Sequence, residues 1–173
     1  MIASYQVSLA EVMMAENRFA DAEPLLRQGA AEGKREKESE LEGEANAALA
    51  SALLAQKKLA EAEGVVRQMR QIQTQNPGIL IQAAIVDAQL SAAQGKTTAA
   101  GKSLSSIVSK AAKMGCIPCQ FDARLALGEF EMKSGQSAAG RVHLQALQRD
   151  AQAADFGLIA RQAAEAEAVS NPK

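Results

Sequence analysis

The chain has 173 residues, and its 19 basic and 20 acidic side chains leave a formal net charge of −1. This balance argues against the strongly basic surface that binds nucleic acid or an anionic membrane. No apolar run approaches the roughly 18 residues that cross a bilayer, so we expect no membrane insertion.

Alanine fills 37 of the 173 positions, whereas tryptophan is absent and β-branched runs are rare. Alanine and unbranched side chains lose the least conformational entropy in a helix, so we predict an all-α chain. Turn residues and charged runs separate nine predicted helices, at residues 3–16, 19–33, 39–56, 59–74, 79–94, 97–114, 119–134, 137–154 and 155–169.

Two of these helices carry distinctive features. Pro24 lies just past the first turn of the second helix, where it removes one backbone hydrogen bond, so we expect a bend or a later start. The fifth helix is apolar around most of its circumference, which is typical of a central, heavily buried helix. The chain also starts inside a helical pattern, which predicts a fragment of a longer protein.

Four segments of the chain are similar to one another, and their tiny fourth residues recur every 38 to 40 positions. A fixed period of this length is typical of a solenoid. Each tiny residue is followed four and seven positions later by packing residues, which gives the sets Ala22/Leu26/Gly29, Ala62/Val66/Met69, Ala100/Leu104/Ile107 and Gly140/Leu144/Leu147.

In three of the four repeats, the helix that precedes the set carries a large residue followed by a small one. These pairs are Leu9-Ala10, Leu49-Ala50 and Leu127-Gly128. The whole pattern resembles the tetratricopeptide repeat (TPR) family. Two departures are Asp87-Ala88, in place of the third pair, and Glu131, in place of a large residue. The resemblance implies a right-handed α-solenoid of about four helix pairs with a C-terminal capping helix, at residues 3–36, 39–76, 78–115, 119–154 and 155–169.

In the capping helix we expect one packed side, formed by Leu158, Ile159, Ala160, Ala163 and Ala164. The resemblance also implies that the outward faces of the first helices line a concave groove, with an acidic rim over a small, aliphatic floor. Its expected residues are Ser4, Val7, Glu11, Met14, Glu44, Ala47, Ser51, Leu54, Gln82, Ile85, Gln89, Ala92, Asp122, Leu125, Glu129 and Lys133.

The acidic rim predicts a protein or peptide partner with basic and aliphatic residues. An ordinary solvated helix surface is the alternative interpretation. We therefore expect a protein-interaction module, as part of a larger bacterial regulatory or signalling protein in the cytoplasm. A scaffold that self-associates through its end repeats is a second hypothesis, and a thiol redox role is a third.

Cys116-Ile-Pro-Cys119 is the sharpest local motif. A cysteine near a helix start can have a lowered thiol pKa, but no strand precedes this motif as it does in thioredoxin-like proteins. A zinc site would need two more ligands, and the chain offers one histidine and no other cysteine. Loop filler, a reversible disulfide or reactive thiol, and metal ligation stay open, although we predict no metal site and no cofactor.

Nothing else in the sequence indicates catalysis. The segment from Gly95 to Ser103 resembles a phosphate loop, but its spacing is one residue too long and no strand precedes it. His143 has no serine or cysteine placed against it, so we predict a structural histidine at or near the surface. We therefore expect that the chain is not an enzyme.

Overall fold

The computed structural model describes residues 2–169, which form nine α-helices and no strands. The all-α prediction is confirmed. In chain order the helices are α1 (Ile2–Ala15), α2 (Phe19–Glu36), α3 (Ser39–Ala55), α4 (Leu59–Met69), α5 (Pro77–Ala93), α6 (Thr97–Lys113), α7 (Ile117–Lys133), α8 (Ser137–Ala153) and α9 (Gly157–Val169).

All helix ends except the end of α4 lie within three residues of the predicted ones. Helix α4 ends at Met69 and not near residue 74, and the chain reaches α5 through Asn76, which Pro77 holds in an extended conformation. Helix α2 begins at Phe19 without delay and carries Pro24 in its interior. A proline there has no N–H to donate and its ring crowds the carbonyl four residues earlier, so the packing of α2 has to offset an unfavourable residue.

Seven of the eight links between the described helices share one turn geometry. Each contains a left-handed residue one or two positions after the preceding helix. The amide of the next residue often returns to a carbonyl five positions earlier. The N–H of Glu38, for example, donates to the Gly33 carbonyl at 2.8 Å. This Schellman-type ending reverses the chain within a few residues. The left-handed residues are Asn17, Lys37, Lys57, Gly95, Gly115, Gly135 and Asp155.

The helices divide into two compact units, Met1–Gln94 and Gly95–Lys173. The boundary falls inside the third predicted repeat. In the first unit α3 is central and packs against α1, α2, α4 and α5. Helix α5, which we predicted to be heavily buried, has no exposed residue from Ile79 to Ala92 and packs against α3 and α4.

In the second unit α7 packs against α6, α8 and α9, and α9 also packs against α8. The rings of Phe121 and Phe156 meet edge to face with their centroids 5.1 Å apart. Helix α9 buries Ala160 and Ala163 in this core. Leu158, which we expected on the same side, is 51% exposed, because it lies two positions from Ala160 and so points away from that face.

The small residues lie where neighbouring helices approach most closely. All twelve positions of the four repeated sets are buried. A Cβ atom added to Gly140 would lie 3.0 Å from the backbone nitrogen of Met132. At Gly33 an added Cβ would lie 2.5 Å from the backbone nitrogen of Glu42, so α2 and α3 touch through their main chains. Tight helix crossings of this kind leave no room for a larger residue.

An acidic side chain at the other end of α2 ties that helix to its neighbours. Glu23, with a side chain only 14% exposed, accepts hydrogen bonds from Lys58 at 2.7 Å and Arg27 at 2.9 Å. Gln56 donates to the same carboxylate at 3.0 Å, and Arg27 also pairs with Glu61 of α4. The Lys58 hydrogen bond, aided by those from Arg27 and Gln56, outweighs burial and lowers the pKa of Glu23 to about 2.

A pair of glycine substitutions tests the close approach of α2 and α3. We expect Gly33→Ala to lower the free energy of unfolding by about 1–2 kcal/mol, since backbone atoms of Glu42 have to move. Gly64→Ala, in α4 with no atom within 4 Å of the added Cβ, should raise it by about 0.5–1 kcal/mol. Urea unfolding, followed by circular dichroism and by the fluorescence of Tyr5, the one tyrosine, measures both changes. Equal stabilisation by the two substitutions would contradict the crossing described above.

A second test uses acid. Because the folded pKa of Glu23 lies below its ordinary value of 4.5, its contribution to stability is present above pH 4.5 and is lost as pH falls towards about 2. Replacement by Gln should cost about 1–2 kcal/mol near pH 7, after solvent screening of the half-exposed partners is allowed for. The difference between the wild type and Glu23→Gln should shrink across that acidic window. The exposed Glu63→Gln is the matched control and should show no such convergence.

Candidate functional site

Besides Ser4 and Ala92, the first unit carries seven of the predicted groove residues on the surfaces of α1, α3 and α5. Helix α3 packs against both of the others, so the three helices lie side by side. Glu44 and Ser51 are seven residues apart and share one stripe of α3. Glu11 and Glu44 are exposed, and the remaining five are half-buried: Met14, Ser51, Leu54, Gln82 and Gln89.

Val7, expected to face a partner, lies in the core instead. Its side chain is 3% exposed, and a Cβ on Gly29 of α2 would lie 2.6 Å from its Cγ2 atom. Val7 therefore fills the crossing of α1 with α2 and offers no surface to a ligand. Ala47 and Ile85 are buried as well, so the predicted floor contributes to the core.

The two exposed carboxylates of this surface influence each other. Neighbouring protein atoms displace part of the water around Glu11, and this burial raises its pKa, as does the nearby negative charge of Glu44. Burial also raises the pKa of Glu44, with a further contribution from the negative charge of Glu40. Glu11, Glu40 and Glu44 together form what we call the acidic surface.

No ion pair between the described residues involves any of these three carboxylates. The pairs found in residues 2–94 use other acids, such as Glu23 with Lys58 and Asp87 with Arg70. Sequence reasoning missed Glu40, although it lies four residues before Glu44 and thus on the same face of α3. The acidic surface therefore concentrates negative charge that the cations described in the first unit do not neutralise.

The other four predicted groove residues lie on α7, in the second unit. Asp122, Leu125, Glu129 and Lys133 follow one stripe of that helix. Leu125 packs against the core that α9 helps to form. Burial raises the pKa of Glu129, and the opposing effect of Lys133, whose Nζ lies 4.0 Å from the carboxylate, is smaller. Here the carboxylate already has a cation beside it.

Glu131, which departs from the repeat pattern, has a structural partner. Its side chain is 10% exposed, and its Oε2 lies 2.6 Å from Nδ1 of the half-exposed His143 on α8. A buried carboxylate needs such a partner, and His143 also reaches solvent. The sequence alone gives one signal of the contact: Glu131 occupies a position at which α7 otherwise packs against α8.

Cys116 and Cys119 are joined by a disulfide, with their Cα atoms 5.3 Å apart. Cys116 is the N-cap residue of α7, where its Sγ accepts a hydrogen bond from the Cys119 amide at 3.4 Å. Cys119 is 2% exposed, whereas Cys116 is half-buried. Among residues 2–169, no group of three or more His, Cys, Asp or Glu side chains could hold a metal ion.

Comparisons with protein families, curated proteins and solved structures give no match for this chain. None of the helices in the described part of the chain is both long and apolar enough to cross a membrane. A functional proposal therefore depends on the geometry and charge of the surfaces described above.

Proposed function

We propose that this chain is a protein-interaction module, and that its acidic surface binds a basic, partly aliphatic segment of another protein. The observation that carries the proposal is that Glu11 and Glu44 lie close enough to repel each other, on a surface where no ion pair between the described residues involves either of them. Carboxylates that repel one another and are partly desolvated stay ionised at a cost in free energy. A lysine or arginine from a partner would remove that cost.

The neighbouring side chains suit such a partner. Met14 and Leu54 are half-buried, so each has apolar surface left for an aliphatic contact. Methionine adapts to the shape of a ligand because its side chain is flexible and polarisable. Opposite charges on the two proteins would speed the encounter and select basic segments, and salt would weaken this effect.

Binding by this mechanism is linked to pH. Carboxylates with a raised pKa take up protons at a higher pH than ordinary glutamates do. A cation of the partner favours their charged form, so binding releases protons over the pH range in which the two groups titrate. Affinity should therefore rise with pH until Glu11 and Glu44 are both ionised in the free protein.

The repeat architecture belongs to the same proposal. We infer that the chain is a member of the TPR family, with helix pairs stacked as a right-handed solenoid. The regular period, the shared turn geometry and the burial of all twelve repeat positions support this. By analogy with that family, the chain would serve as a non-enzymatic part of a larger bacterial regulatory protein in the cytoplasm.

Self-association is the second candidate. Tyr5, Leu9 and Val12 form an exposed apolar stripe on α1, because they are spaced by four and three residues. Charge favours contact between copies as well: residues 1–94 hold 9 basic and 13 acidic side chains, whereas residues 95–173 hold 10 and 7. The acidic unit of one copy would attract the basic unit of another.

A peptide titration tests the leading proposal. We expect a 20-residue peptide with alternating lysine and leucine to bind, and the same peptide with glutamate for lysine not to bind, as measured by fluorescence anisotropy. Replacing Glu11 and Glu44 together by Gln should weaken binding about tenfold, which corresponds to about 1.4 kcal/mol. Glu63→Gln with Glu165→Gln removes the same charge elsewhere and is the matched control.

Equal loss in both double variants would mean that net charge alone attracts the peptide. Unchanged affinity after substitution of Glu11 and Glu44 would contradict a role for the acidic surface. Sedimentation of the free protein over a range of concentrations distinguishes self-association from the leading proposal. An interaction module should stay monomeric, whereas a self-associating scaffold should not.

A further inference from the structure

We propose that the Cys116–Cys119 disulfide is a site of reversible thiol–disulfide exchange, in which a dithiol reductant attacks the sulfur of Cys116. This activity is independent of the acidic surface. The proposal depends on the unequal exposure of the two sulfurs, their position at the start of α7 and the small structural role of the bond.

The two cysteines differ in accessibility. Cys119 is 2% exposed and lies within the first turn of α7, so an external thiol cannot reach it from solvent. Cys116 is half-buried, and its neighbours Gly115, Ile117 and Pro118 are exposed. Solvent and reagents therefore approach the bond from the Cys116 side. Exchange needs a disulfide sulfur that an external thiolate can reach, and Cys116 is the more accessible of the two.

The bond contributes little as a structural brace. It closes a loop of only four residues, and the entropy removed from the unfolded chain grows with loop length. Helix α5 shows how the same position is built without cysteine: Asn76 caps the helix through its side chain, and Pro77 follows. Sulfur is a weak acceptor compared with the oxygen of Asn or Ser, so a cap alone does not explain Cys116.

The start of α7 favours the reduced form of Cys116. The Cys119 amide already donates to the Cys116 Sγ at 3.4 Å, and α7 extends for 17 residues behind it. Free amides and the helix dipole at such a terminus stabilise a thiolate. A thiolate at Cys116 would accept this hydrogen bond more strongly than the disulfide sulfur does. Its stabilisation makes Cys116 both a good leaving group and a reactive nucleophile.

The exchange proceeds in two steps. A thiolate of the dithiol attacks Cys116 Sγ, which forms a mixed disulfide and breaks the Cys116–Cys119 bond. Cys119 leaves as a thiolate and takes a proton from water. The second thiolate of the reductant then attacks its own sulfur in the mixed disulfide, so the reductant becomes a disulfide and Cys116 is released as a thiolate. Two electrons pass to the protein, and the reverse sequence restores the bond.

The test uses the folded, full chain in buffers with different ratios of reduced to oxidised glutathione, followed by acid quenching and maleimide labelling. Two glutathione molecules take the place of the two thiols of the dithiol, the second one releasing Cys116 from the mixed disulfide. We expect reversible conversion between zero and two labelled thiols, with an unchanged far-ultraviolet circular dichroism spectrum. Mass spectrometry of partly reduced samples should find glutathione on Cys116 and not on Cys119.

Two variants sharpen the assignment. In native buffer the remaining thiol of Cys119→Ser should react with an aromatic disulfide reagent at least about tenfold faster than that of Cys116→Ser, because one is accessible and the other is buried. The two rates should converge in guanidinium. Thiols that appear only after unfolding would overturn the proposal, as would glutathione found equally on both cysteines. If a variant does not fold, the mass spectrum of the wild type still identifies which cysteine sulfur glutathione attacks.

Discussion

The close approach of helix backbones at small residues is the constraint on which the rest of this structure depends. Where α2 meets α3, the space beside Gly33 is occupied by the backbone nitrogen of Glu42. Where α7 meets α8, a Cβ on Gly140 would lie 3.0 Å from the backbone nitrogen of Met132. A side chain at either glycine would force the two helices apart and rotate them. The spacing of small residues along the chain therefore sets how each helix is turned about its axis.

That rotation decides which side chains reach solvent. In α1 it directs Val7 into the crossing with α2 and leaves Glu11, four residues later, at the surface. In α3 it exposes Glu44 while burying Leu41 and Ala45 on either side. The buried carboxylate of Glu131 is paired across helices with His143, whereas buried Asn46 donates to the Glu42 carbonyl within α3. The acidic surface is thus a direct consequence of how the helices pack.

Sequence patterns were sufficient for the helices and for much of the candidate site. The turn residues and the phase of the repeats located most boundaries, and the same phase selected Glu11 and Glu44. The apolar circumference of α5 correctly predicted its heavy burial. Residues 70–74 were predicted as helix, but α4 ends at Met69 and Asn76 is extended before Pro77.

The remaining features need three-dimensional information. Val7 has the spacing of a surface residue, and only its contact with Gly29 shows that it is buried. The state of Cys116 and Cys119 depends on a Cα separation that sequence does not give. The contact between Glu131 and His143 joins two helices, and the sequence indicates only that Glu131 replaces a packing residue. Each of these features depends on which helix lies beside which, and a single sequence reports that only indirectly.

The most direct test of how Glu11 and Glu44 are placed is the titration of their side-chain carboxyl carbons by nuclear magnetic resonance. We expect both pKa values to lie above the ordinary 4.5, and we expect Glu44→Gln to lower the pKa of Glu11 because a nearby negative charge is removed. Ordinary values for both groups, or a Glu11 pKa that does not respond to Glu44→Gln, would contradict the placement of these carboxylates and the function proposed from it.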